Sequence, residues 1–200
     1  RMGVHILDGI KAVGPWSGIL RDWLSSLKYG GDSRIASYLA DLLFLRWKEE
    51  WQGIPVVPVP PRSARVFQTG TDPVGLLAKA MEAKRVPVNR LLVRMSGRSQ
   101  KTLSRQERLS GKALRFRLKS RCSHIGGDYV ILDDVTTTGT TLNFCADILK
   151  SSGARRVFED TLSRTLARAA AVAEAGASGD ALARQVGSSL YHLTTSVAMA

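Results

Sequence analysis

Hydrophobic positions along this chain change their period several times, and each change marks an element. Ile19, Leu20, Trp23, Leu24 and Leu27 recur at helical spacing ahead of Gly30-Gly31, which predicts an amphipathic helix with a glycine stop. A second helix is predicted from about Arg34 to Glu50, with Ile35, Tyr38, Leu39, Leu42 and Leu43 on its buried face. Ile54 to Pro58 is a short apolar run bounded by prolines, so it reads as a strand that frays into a loop at Val59-Pro60-Pro61. Val74, Leu77, Ala78 and Met81 mark a helix after Pro73, and Leu91 to Val93 form the next strand. Tyr129 to Leu132 can only be a buried strand. A helix from about Thr141 to Ser151 follows, stopped by Gly153, and a last strand lies near Val157 to Leu162. Strands alternating with helices imply a parallel sheet with right-handed crossovers, an α/β architecture whose ligands sit beyond the carboxyl ends of the strands.

At one such end the apolar run meets Asp133 and Asp134, then a turn holding Thr136, Thr137, Thr138, Gly139, Thr140 and Thr141. The carboxylates can accept hydrogen bonds from vicinal ribose hydroxyls. The turn offers backbone N–H groups and hydroxyls to a phosphate at a helix N-terminus, where the helix dipole favours negative charge. Gly139 lets the backbone approach an anion in conformations that a Cβ forbids. A strand followed by a hydroxyl-rich N-cap is the plainer reading, but one cap needs neither two acids nor five threonines.

A length of 200 residues suits one domain, or a domain with a small appendage. The formal net charge of +12 is unevenly placed: residues 84–121 hold thirteen Lys or Arg and one acid, Glu107, so this segment carries the whole excess. Such a run must find anions, whether a small substrate's phosphates, a nucleic acid or solvent counterions. Cys122 and Cys145 lack paired spacing and read as residues of a reducing compartment, with a single bridge left open. No apolar run approaches the ~20 residues needed to cross a bilayer, so membrane insertion is not expected and a cytoplasmic location is. Trp16, Trp23, Trp47 and Trp51 read as packing residues, and no aromatic interrupts the basic run before Phe116. From Ser163 the composition turns alanine-rich, as one or two helices broken around residues 176–179.

Tyr129 to Thr141 resembles the phosphoribosyl-pyrophosphate (PRPP) signature of type I phosphoribosyltransferases: four apolar residues, two acids and a Thr-Thr-Gly-x-Thr loop. Three further segments resemble the ComF-like branch of that superfamily, which is associated with competence for DNA uptake. Leu27-Lys28-Tyr29-Gly30 is similar to its Leu-Lys-Tyr element, and Val57-Pro58-Val59-Pro60 to its Val-Pro-x-Pro strand end. Gln100 to Arg108 is similar to its Gln-x-x-Leu-x-x-x-x-Arg element. Together these cover about residues 18–165 in the expected order. Two departures stand out. Thr69-Gly70-Thr71-Asp72-Pro73 replaces an Arg-Gly-Phe-Asn-Gln element, so an arginine that could face pyrophosphate is missing; and nothing matches the family's N-terminal zinc module.

The resemblance implies a type I phosphoribosyltransferase-like α/β fold, a central parallel sheet flanked by helices. It also implies an N-terminal hood segment over 1–30 and the α/β domain over 31–165; composition adds an alanine-rich helical extension over 166–200, as a docked hairpin, an oligomer contact or a loose tail. It implies PRPP or ribose 5-phosphate as ligand, held by Asp133, Asp134 and residues 136–141. Mg²⁺ would bind mainly through substrate oxygens, with Asp133 and Asp134 as the protein's contribution. Lys101 and Arg105 join the two acids as catalytic candidates on a lid around Gln100, while Lys28, Arg62, Arg65 and Gly70 are pyrophosphate candidates. For Lys28 the alternative is a solvated residue at a helix C-terminus. The expected function is phosphoribosyl transfer to a nitrogenous acceptor. The alternative is a catalytically weak protein that binds single-stranded DNA through residues 84–121 in DNA uptake. A homodimer is compatible with either.

Overall fold

The computed structural model describes residues 6–95, 116–120, 122 and 124–164. The chain divides into two units, Arg1–Arg164 and Thr165–Ala200, and only the first contains described residues. Its elements are β1 (Gly9–Pro15), α1 (Gly18–Gly30), α2 (Ser33–Glu50), β2 (Val56–Pro58), α3 (Ser63–Thr69) and α4 (Pro73–Ala83). They continue with β3 (Leu92–Arg94), β4 (Phe116–Leu118), β5 (Asp128–Thr136), α5 (Thr140–Ser151) and β6 (Arg156–Arg164). The extension expected over 166–200, and the lid with Lys101 and Arg105, lie outside the described residues.

Four strands form a parallel sheet in the order β1-β6-β5-β2, flanked by helices as the alternation of strands and helices predicts. One apolar cluster joins Val130, Leu132 and Leu162 to Leu24 and Leu27 of α1, Leu39 and Leu43 of α2, and Leu77 of α4. A second joins Ile131 and Val157 to Leu142, Cys145 and Leu149 of α5. The signature strand is therefore covered on both faces, which explains its unbroken apolar run: a two-sided burial needs no polar alternation. Among the described residues, no helix is long and apolar enough to cross a membrane. Cys122 and Cys145 are both free thiols.

The structure corrects the sequence reading in four places. Gly9–Pro15, in the segment read as a hood, is a sheet strand, and α3 has no counterpart among the predicted elements; a strand broken by two glycines and a seven-residue helix give little periodic signal. Leu92–Arg94 does not join the main sheet but pairs antiparallel with β4 in a separate two-stranded ribbon. The buried face of α2 runs through Ala36, Leu39, Ala40, Leu43, Arg46 and Trp47, rotated from the predicted face, and leaves Tyr38 44% exposed. Tyr38 instead stacks on Trp23 of α1, ring centroids 6.4 Å apart.

Candidate functional site

The end of β5, the turn after it and the first turn of α5 enclose a polar recess of about 50 Å³. Asp133, Val135, Gly139, Leu142 and the five threonines at 136–138, 140 and 141 line it. Gly139 takes a left-handed φ of 71° as the N-cap of α5 and, lacking a side chain, contributes no capping acceptor. By contrast, Asp32 caps α2 and Asp72 caps α4 through their own carboxylates. Gly139 thus gives the first-turn amides of α5 no side-chain acceptor; the amide of Thr140 donates to the hydroxyl of Thr138 at a long 3.4 Å, and the hydroxyls of Thr138 and Thr140 lie 2.8 Å apart. This is the electrostatic and geometric condition for holding an anion at a helix N-terminus.

The two acids have different surroundings. Asp133 lines the recess, and its Oδ1 accepts from the amide of Asp134 at 2.9 Å. Although Asp133 as a whole retains some surface, its carboxyl is closely surrounded; burial, and then the like charge of Asp134, push its pKa well above the usual carboxylate range. Asp134 is only 8% exposed and does not line the recess. Its Oδ1 accepts from the amide of Val135 at 2.7 Å, and its Oδ2 lies 3.1 Å from the Nζ of Lys28. Lys28, the buried basic residue of the last turn of α1, also stands 4.9 Å from the ring centre of Trp16. Its charge is therefore engaged inside the fold.

The remaining sequence candidates are spread around this centre. Arg62 is an exposed residue at the N-cap of α3, and Arg65 lies within that helix. Gly70 closes α3 with a φ of 68°, and its amide donates to the carbonyl of Val66 at 2.7 Å. Glycine there serves a helix stop. Thr71 donates its hydroxyl to the carbonyl of Lys28, and Asp72 accepts from the amide of Gly75, so the segment that departs from the family pattern ties α1 to α4.

One residue that sequence reasoning passed over is Arg94. Its guanidinium lies 4.2 Å from the ring centre of Phe116 and donates from Nε to the carbonyl of Pro60 at 3.1 Å. Burial, and then nearby Arg62, lower its pKa, and Asp133 is close enough to oppose that shift. The charge excess of residues 84–121 flagged this region but could not single out the arginine that β3 carries and that Pro60 and Phe116 hold. Among the described residues, no group of three or more His, Cys, Asp or Glu could hold a metal ion by itself.

No family model matches the chain. It is 26% identical over 145 residues to competence protein ComFC of Bacillus subtilis (strain 168), covering 72% of this chain and 58% of that protein. It is 29% identical over 149 residues to competence protein ComFC of Streptococcus pneumoniae (strain ATCC BAA-255 / R6), covering 74% and 64%. The chain is thus similar to these competence proteins over about three quarters of its own length. It spans about three fifths of the length of these curated relatives. Among solved structures, a hypoxanthine phosphoribosyltransferase of Trypanosoma cruzi aligns at 17% identity over 72% of this chain and 66% of its own, with a TM-score of 0.41. An allosteric regulatory enzyme of purine biosynthesis aligns at 22% identity over 64% and 26%, again with a TM-score of 0.41.

Proposed function

We propose that this protein binds the 5′-phosphate and ribose of PRPP in the recess at the end of β5 and transfers the phosphoribosyl group to a nitrogenous acceptor. The observation that carries the reading is the coincidence, in one small recess, of a carboxyl group, five threonines and the N-terminus of α5, which has no side-chain cap. The phosphate sits on the first-turn amides of α5 and the hydroxyls of the turn. Asp133 lies where a ribose hydroxyl can meet it; its carboxyl, kept protonated in the free protein by burial and by Asp134, would stabilise the cationic, oxocarbenium-like transition state by ionising as pyrophosphate leaves. Arg94, Arg62 and the basic segment offset the pyrophosphate charge, with Lys101 and Arg105 as the lid's candidates.

The residues present fit Mg²⁺, because the recess supplies hard oxygen donors and this ion binds largely through substrate oxygens and water. When bound, it supplies charge neutralisation at the leaving group. Titration of the protein with PRPP and Mg²⁺, followed by calorimetry and thermal shift, tests the reading: heat and a raised melting temperature are expected. No response at millimolar ligand would sink it.

A second reading is favoured by the charge of residues 84–121 and by the competence proteins to which the chain is similar. In it the chain binds single-stranded DNA in DNA uptake, with the recess as a sensor. Binding should weaken steeply with salt as counterions are released. Unchanged affinity after Lys101, Arg105 and Arg108 are replaced by alanine would rule it out.

A further inference from the structure

We infer that the outer face of α1 and α2 pairs with the same face of a second copy of this chain, the two copies of α2 running antiparallel across a two-fold axis. The pairing needs no ligand and stands apart from the proposed function.

Apolar side chains on this face form one connected patch. Tyr38, Leu42 and Leu45 recur at i, i+4 and i+7 along α2, and Ile19 and Trp23 at i and i+4 along α1. The stacked rings of Trp23 and Tyr38 join the two rows. Ile19 and Leu45 are 45% and 59% exposed, although α2 already buries a complete second face through Leu39, Leu43 and Trp47. Apolar residues scattered singly are ordinary on a surface, whereas a patch joined across two helices marks a contact.

Charge selects the occupant. Residues 18–50 hold five Lys or Arg and five Asp or Glu, so this segment has no share in the net charge of +12 and lacks the cationic rim that a nucleic acid or an anionic membrane surface requires. It does match itself. One turn beyond the two ends of the α2 row stand Arg34 and Glu49, both exposed, Arg34 with 84% of its side chain in solvent. In an antiparallel pairing centred between Asp41 and Leu42, Tyr38 of one copy meets Leu45 of the other and Arg34 meets Glu49, each contact made twice by symmetry. A parallel pairing would instead set arginine on arginine and glutamate on glutamate. Asp41, nearest the axis, is already compensated by Lys84. Arg34 binds Asp32 through Nε and one terminal nitrogen, which leaves its other N–H groups for a partner.

The experiment is sedimentation equilibrium of the full chain, from low micromolar to near-millimolar concentration at physiological salt with thiols kept reduced, and circular dichroism to show that each variant is folded. The unmodified chain should be a dimer at the upper end of that range. Leu45→Glu, a change at a side chain already largely in solvent, should give a folded monomer. Arg34→Glu and Glu49→Arg each place like charges together at two symmetric contacts and should weaken dimerisation ~10-fold. The double variant re-forms both pairs in reverse and should return to within ~3-fold of the unmodified chain. A chain that stays monomeric throughout overturns the inference and gives this face to a different partner. So does a dimer that Leu45→Glu leaves intact, since its interface would lie elsewhere. A double variant no tighter than either single one overturns the antiparallel register.

Discussion

The hydroxyl of Thr71 donates to the backbone carbonyl of Lys28 across 2.5 Å, joining the turn before α4 to the last turn of α1. The same threonine packs so closely on Gly31 that a Cβ there would meet its Cγ2 at 2.8 Å, and Gly31 holds a left-handed φ of 61°. Thr71→Val keeps the shape and removes the bond. It should lower stability by about 1 kcal/mol, read as a fall of several degrees in melting temperature. An unchanged melting temperature would mean that the contact contributes nothing to docking α1.

Asp72 tests whether the segment that departs from the family pattern is structural. Its carboxylate caps α4 at the amide of Gly75, where an added Cβ would collide with Oδ2, so the aspartate and the glycine require each other. Asp72→Ala should cost about 1 kcal/mol in urea denaturation while changing ribose 5-phosphate affinity by less than ~2-fold. A large loss of affinity with little loss of stability would place Asp72 in the ligand site instead.

Asp160 gives the fold a pH dependence of definite sign. It is buried on β6 with Arg46 3.2 Å away, and burial pushes its carboxyl up to about 7 against the pull of Arg46. Glu50 and Glu159 raise it further, and Lys11 opposes. The folded state therefore keeps a proton that the unfolded chain, with an aspartate near ~3.9, has already released. Stability contributed by this group is present in acid and is lost as pH rises from about 4 through 7. The difference in unfolding free energy between the unmodified protein and Asp160→Asn should fall across that window. A flat difference would show that Arg46 holds the group ionised throughout.

The two free thiols should react very differently. Cys145 is fully buried in α5, and burial, then Asp133, push its pKa up to about 12, whereas Cys122 is partly exposed. A thiol-specific reagent at pH 8 should label Cys122 in the native protein, and Cys145 only after denaturation. Labelling of both at equal rates would show that α5 opens readily from the sheet.

What could be read from the sequence follows from where physical signals are local. The apolar run 129–132, the Gly31 stop and the proline at the start of α4 each act within a few residues, and each stands where its local signal puts it. Arg46 and Asp160 illustrate what was hidden. A charged residue in a helix pattern reads as solvent-facing, and only a partner far along the chain, here 3.2 Å away, turns it inward and rotates the buried face of α2. At the site, the acids and the threonine turn were legible as a motif. That Asp134 turns to Lys28 while Asp133 lines the recess depends on where α1 ends in space, which no local spacing encodes.

The strand order has a consequence for how the protein is made. β6 fills the place between β1 and β5, and the amide of Val157 reaches Asp8, 149 residues away. Throughout synthesis, β1 and β5 must therefore each wait with a bare hydrogen-bonding edge until β6 leaves the ribosome. Sheet assembly is in this sense a late event, completed only after most of the described chain has been made. A nascent chain stalled before Arg156 would expose two apolar edges, making it a natural client for chaperones.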